Sequence, residues 1–251
     1  METALFFNQT TPVSKGDIMK KLKTFCSLIV ILVMGTVAGA QTIEDVIAKA
    51  TAAMGGQEAI DAVKSLRMDM TGTYMGKEMS MEMAILKPNH KMIKMNIMDM
   101  DIISATNGTD YWTSQMGQVV DMPVAAKEQF GSSFNQYSGV GIADLIGNGT
   151  FTYAGKEEVN GIRADVVKGV ITGSGAVSIY FDAVGLPFRV LMPNDQGELD
   201  MYITDYRDVA GMLIAYKYES LTNGASEMVL EITKVEANIE IDDATFSRPA
   251  Q

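Results

Sequence analysis

The sequence predicts a mainly β fold with helices (α+β), built on one antiparallel sheet. Two observations carry this. Short runs carry their large apolar residues at every second position, as in 66–74 and 79–85, and side chains that change face at every residue make half-buried strands. Turn pairs such as Asn107-Gly108, Asn160-Gly161 and Asn223-Gly224 separate these runs at regular spacing. Strands in such a series form a continuous meander of about ten to eleven strands. That is too many for a flat sheet, so it curls into a partial or closed barrel.

The first 40 of the 251 residues read as a leader. Lys20, Lys21 and Lys23 follow Met19, an apolar run covers 28–37, and Ala38-Gly39-Ala40 has the small-x-small form of a signal peptidase site. The expected organisation is therefore 1–40, an upstream extension plus a signal peptide starting at Met19, and 41–251, one domain. The alternative is an uncleaved anchor, for which the apolar run is short. Cys26, the only cysteine, falls in the leader, so the mature chain has no disulfide and no thiol ligand or nucleophile. About 210 residues suffice for a self-standing core. The net charge is -11, and the leader itself carries an excess of Lys15, Lys20, Lys21 and Lys23 over Glu2 and Asp17, so the mature part is more acidic still. That argues against nucleic acid as a partner, and a monomer is expected.

Thr42 with Asp45 three residues on is a capping-box variant, and Ile43, Val46, Ile47, Ala50 and Met54 share one helical face. Gly55-Gly56 ends this helix as a left-handed cap, and a short helix follows over 57–65. The sheet begins with the richest stretch of the chain: ten of 20 methionines lie between Leu66 and Met100. Met68 and Met70 share one parity with Leu66, Gly72 and Tyr74; Met79, Met81 and Met83 share one with Ile85; Tyr74 to Lys77 is the hairpin turn. Methionine is a weak strand former and a deformable filler, so this face either packs an irregular core or surrounds an irregular guest. Strands over 91–96 and 98–106 meet near Met98-Asp99, and Asn107-Gly108 leads into Tyr111 and Trp112. Residues 123–136 have helical composition and 137–149 are glycine-rich; together they read as loose helices between two groups of strands, a lid over 123–146 or an ordinary crossover. Seven further strands follow from 151 to 235, and 238–251 reads as an extended tail.

Several residues stand in the order of a known family: Met54-Gly55-Gly56 with Ile60, Gly108 to Trp112, Asp182 with Leu186-Pro187-Phe188-Arg189, the run Tyr206 to Gly211, and Asn238, Asp242, Asp243, Phe246 and Pro249. In this the chain resembles the bacterial outer-membrane lipoprotein-sorting proteins, which have the fold of the periplasmic lipoprotein carrier. The resemblance implies a strongly curved antiparallel half-barrel with helices covering its concave face, where acyl chains bind. It also implies a periplasmic location, a role in outer-membrane biogenesis, and membrane-bound donor and acceptor proteins as further partners. Two departures stand out. Ala215 occupies a position where family members often have proline, and the carrier's helix-holding arginine has no counterpart, since the nearest, Arg67, has the wrong parity for the methionine face.

Catalysis is not expected. His90 is the only histidine, no Gly-x-Ser-x-Gly is present, and Gly139-Val140-Gly141 lacks the strand-to-helix setting of a phosphate cradle. No cofactor is implied. The expected function is an exported soluble binder or carrier of a lipid acyl chain or lipoprotein, acting by hydrophobic burial. The lining residues expected are Met68, Met70, Met79, Met81, Met83, Ile85, Met95 and Trp112. Two alternatives remain. Met-x-Met strands suit Cu(I), which thioethers select, provided that sulfurs on neighbouring strands share the ion. A non-catalytic structural envelope module would bind neither.

Overall fold

The alternating runs pair into thirteen antiparallel strands in the computed structural model, which describes residues 41–124, 126, 127, 130, 149–171, 175–194 and 197–249. Two helices come first, α1 (Ile43–Ala53) and α2 (Gly56–Ala62). One meander follows: β1 (Ser65–Tyr74), β2 (Lys77–Leu86), β3 (His90–Ile97), β4 (Met100–Thr106), β5 (Tyr111–Gln115) and β6 (Gln118–Asp121). The second contains β7 (Gly149–Val159), β8 (Ile162–Ile171), β9 (Gly175–Phe181), β10 (Pro187–Asn194), β11 (Gly197–Val209), β12 (Met212–Thr222) and β13 (Ala225–Ala237). A 3-10 turn, Asp243–Phe246, comes last.

The strand order is β6-β5-β4-β3-β2-β1-β13-β12-β11-β10-β9-β8-β7. Pairing of β1 with β13 joins the two meanders, and β6 and β7 are the edges, so the sheet is an open, curved half-barrel. The expected strand number was too low. The short strand at Val119-Val120 that the sequence implies after the Met116-Gly117 turn is β6, and it pairs in full with β5, from Trp112 opposite Asp121 to Gln115 opposite Gln118. The 123–146 segment lies mostly outside the described residues; Val124, Ala126, Lys127 and Phe130 are helical.

The Thr42–Asp45 capping box forms, and Val46, Ala50 and Met54 are buried against the sheet. The Gly55-Gly56 pair does more than end a helix. Gly55 has φ +112°, and a Cβ there would stand 2.2 Å from the Gly211 carbonyl oxygen, while Leu213 N–H donates to the Met54 carbonyl at 3.0 Å. Helix end and β11–β12 hairpin thus touch backbone to backbone. A second close approach lies in β1. Its register with β13 shifts between Asp69 and Met70, a bulge that bends the pair, and a Cβ on Gly72 would stand 1.8 Å from the Val229 carbonyl oxygen.

The concave core runs from β1–β3 across β13 to β8 and includes Val46 and Ala50 of α1 and Ile60 of α2, so helices cover it. A smaller cluster on the other face holds Ala84, Met92, Ala105, Trp112, Ile241 and Phe246. The expected extended tail is therefore corrected. Asp242 caps the 3-10 turn by accepting from Ala244 N–H at 2.9 Å, and Phe246 is fully buried. Large apolar surface at Phe246 pulls the tail onto the sheet.

Candidate functional site

The methionine face is set by register. Across β1 and β2, Leu66 faces Ile85, Met68 faces Met83, Met70 faces Met81 and Gly72 faces Met79. Across β2 and β3, Met83 faces Ile93 and Met81 faces Met95. Met68, Met70 and Met83 are at most 1% exposed, and Met79, Met81 and Ile85 are buried too. Met95 is partly buried against the same core. Seven of the eight expected lining residues therefore share one surface.

Trp112 does not. It pairs with Ala105, which pairs with Met92, which pairs with Ala84, and this row belongs to the opposite face. Its indole Nε1–H donates to the Phe246 carbonyl at 3.1 Å. The Asn107–Asp110 turn fixes that parity: Asn107 Oδ1 accepts from the N–H groups of Thr109 and Asp110, which sets where β5 starts. Arg67 also points away from the methionines, as its parity requires, and lies 3.5 Å from Glu82.

Lys91 is the residue sequence reasoning missed. It stands on β3 two and four residues before Ile93 and Met95, so it shares their face, between Ile85 of β2 and Thr106 of β4. It is 6% exposed, and burial pushes its ammonium down to about 7. Its Nζ donates to the Phe130 carbonyl and lies 4.3 Å from the centre of the Phe130 ring. The parity with Ile93 and Met95 was the available signal.

At the hairpin end of β1–β4 there is an open depression of about 1040 Å³. Its lining is mixed, with Thr71, Thr73, Lys77, Ser80 and Asn96 beside Gly72 and Met98, and of the methionine row it reaches Met79. The turns at this end carry exposed Met75, Met98 and Met116, each with positive φ. Among the described residues, no three His, Cys, Asp or Glu side chains group to hold a metal ion, and no helix is long and apolar enough to cross a membrane.

The residues that carry the family resemblance build the frame. Asp182 Oδ1 accepts from the N–H groups of Val184, Gly185 and Leu186 and shapes the β9–β10 turn. Arg189 forks onto Asp200 at 2.6 and 2.8 Å. The Tyr206 hydroxyl donates to the Pro187 carbonyl at 2.5 Å, and Asn238 Oδ1 accepts from Lys64 N–H at 2.7 Å. Helix α1 is fastened by Asp165, which is 3% exposed. It accepts from the Tyr153 hydroxyl at 2.9 Å and from Lys156, with Lys49 of α1 at 3.8 Å.

An open antiparallel half-barrel whose apolar concave face lies beneath helices is the lipoprotein-carrier-like class of fold, the one the sequence resemblance implies. Solved structures agree. The chain is similar to a DUF1329 family protein from Desulfovibrio piger, with 11% identity over 82% of this chain and 97% of that one and a TM-score of 0.58. It is similar to a LolA superfamily protein from Nitrosomonas europaea, with 10% identity over 79% and 97% and a TM-score of 0.51. An outer-membrane lipoprotein-sorting protein domain from Vibrio parahaemolyticus matches at 15% identity over 76% and 93%, with a TM-score of 0.50. At such identities the shared property is the fold. No family model and no curated protein sequence matches the chain.

Proposed function

We propose that the chain is exported through its 1–40 leader and works in the bacterial periplasm as a binder or carrier of a lipid acyl chain or a lipoprotein. It acts by burial, without covalent chemistry. The observation that supports this most is the row Met68, Met70, Met79, Met81, Met83 and Met95 on the helix-covered concave face of an open half-barrel. Each buried methylene of a guest contributes about 0.8 kcal/mol, and unbranched thioethers adapt to a flexible chain without demanding one shape. Trp112, on the opposite face, is not part of the proposed lining. Membrane-bound donor and acceptor proteins would complete the cycle.

Native mass spectrometry of protein purified from a lipid-containing host tests the reading. Co-purified or added acyl lipid in the complex is the expected result, and a bare protein in both conditions overturns it. One observation favours a second reading: Met68–Met83, Met70–Met81 and Met81–Met95 are direct cross-strand pairs, the arrangement in which two sulfurs share a soft ion. Stoichiometric Cu(I) uptake under reducing conditions, lost on Met81→Leu, would decide for that reading.

A further inference from the structure

Three hairpin tips break the turn chemistry used elsewhere in the sheet. Met75-Gly76, Met98-Asp99 and Met116-Gly117 each have positive φ at both residues. That is the tight hairpin turn for which Asn-Gly is the favoured pair. The β7–β8 and β12–β13 hairpins make it with Asn160-Gly161 and Asn223-Gly224. Methionine is strained in this conformation, because its Cβ crowds the carbonyl that follows. Packing does not offset the strain: Met75 is 54% exposed, Met98 49% and Met116 77%. A side chain that is strained, exposed and apolar at three tips points to a contact outside the chain.

The tips also line up. Strands β1 to β6 are consecutive neighbours, so the β1–β2, β3–β4 and β5–β6 turns fall at one end of the sheet. Neighbouring strands lie about 4.8 Å apart, which sets successive tips about 10 Å apart and the outer two roughly 20 Å apart. The open depression that reaches Met79 takes in Lys77, beside the first tip, and Met98 and Asp99 of the second.

We propose that Met75, Met98 and Met116 dock the chain on the surface of a zwitterionic lipid bilayer. Shape and charge select this partner. Single unbranched side chains, one per tip, suit a yielding apolar layer, whereas a folded partner would need three pockets at the same spacing. Lys77, Glu78 and Asp99 beside the tips leave no net positive charge, and the chain as a whole carries -11, so anionic headgroups offer no attraction. Docked in this way, the depression and Met79 face the lipid from which a guest would come. The choice of lipid as partner rests on the carrier reading; the strain and exposure of the tips do not.

Flotation of the 41–251 chain, a compact unit by itself, with phosphatidylcholine vesicles tests this. The informative variant carries Met75→Asn, Met98→Asn and Met116→Asn together. Asn is favoured at each of these positions, so its urea midpoint should match or exceed that of the wild type. The expected result is wild-type binding that salt leaves unchanged and that the Asn variant loses at least tenfold. The same three changes to Leu should keep binding within about threefold of wild type. No flotation of the wild type, or equal flotation of the Asn variant, overturns the docking surface. Binding confined to phosphatidylglycerol-containing vesicles and lost in salt overturns the zwitterionic assignment. Dimers of the wild type in place of flotation, absent in the Asn variant, overturn it too and assign the tips to a second copy. The two proposals fail separately: acyl lipid in native mass spectrometry without flotation leaves the carrier reading alone, and flotation without an acyl guest leaves the docking surface alone.

Discussion

Lys91 gives the fold a pH dependence that can be worked out in advance. The ordinary value for lysine is 10.5, and burial brings Lys91 to about 7. Below pH 7 the folded and unfolded chains both hold the proton, and the full cost of the buried charge is present. Between about 7 and 10.5 the unfolded chain still binds a proton that the folded one has released, so stability rises with pH through that window. Integrated from pH 6 to pH 10, the gain is about 4 kcal/mol. Urea unfolding of the wild-type chain and of Lys91→Met across this range isolates the effect, because every other titrating group cancels in the difference. The wild type should gain about 4 kcal/mol on the variant. Parallel curves would mean that Lys91 keeps its proton when folded, and the apolar setting argued for it would be wrong.

Gly72→Ala, with its Cβ driven toward the Val229 carbonyl oxygen, should cost more than about 2 kcal/mol in urea unfolding; a neutral result would show that β13 can retreat. Trp112→Phe should lose about 1–3 kcal/mol with the bond to the Phe246 carbonyl and leave acyl binding unchanged; weakened binding would put Trp112 on the wrong face. Burial pushes the Asp165 carboxyl up, but bonds from Lys156, Tyr153 and Gln41 outweigh it and hold it below its ordinary 3.8. Its stabilisation is therefore present above pH 3.8 and lost as pH falls below it. Asp165→Asn should cost about 3 kcal/mol at neutral pH, and the gap from wild type should close in acid; a gap independent of pH would refute the charged role.

What the sequence made legible is what short-range rules decide. The Thr42–Asp45 box, the parity of Met68, Met70, Met79, Met81 and Met83, and the Tyr74–Lys77 turn depend on neighbours within a few residues, and they formed as expected. The face taken by Trp112 depends on how the Asn107–Asp110 turn feeds β5 into β4, which five residues of β5 do not reveal. The roles of Gly55 and Gly72 depend on Gly211 and Val229, far away in the chain. Lys91 was legible from its parity, but a charge at the start of a strand reads as a solvated end. The burial of Phe246 was hidden because a tail has no period.

Room for a guest on the methionine face has to come from the side chains that line it. Met68, Met70 and Met83 are closed to solvent, and the open depression reaches the row at Met79. On the carrier reading, an entering chain turns methionines aside. Driving a side chain off its preferred rotamer costs about 0.5–1.5 kcal/mol, so the six methionines together oppose entry by roughly 3–9 kcal/mol. Association itself costs at least about 4 kcal/mol more. Against this stand about 0.8 kcal/mol per methylene. An eight-carbon chain gains roughly 6 kcal/mol and falls short of the roughly 7–13 kcal/mol that oppose it; a sixteen-carbon chain gains roughly 12 and exceeds all but the top of that range. Affinity across a homologous series of fatty acids should therefore show a threshold, then rise about fourfold per added methylene until the face is full. Calorimetry over chains of eight to eighteen carbons reads this directly. A response that is flat with length would place the guest in the open depression beside Met79 and away from the methionine row, because only burial along that row scales with the length of the chain.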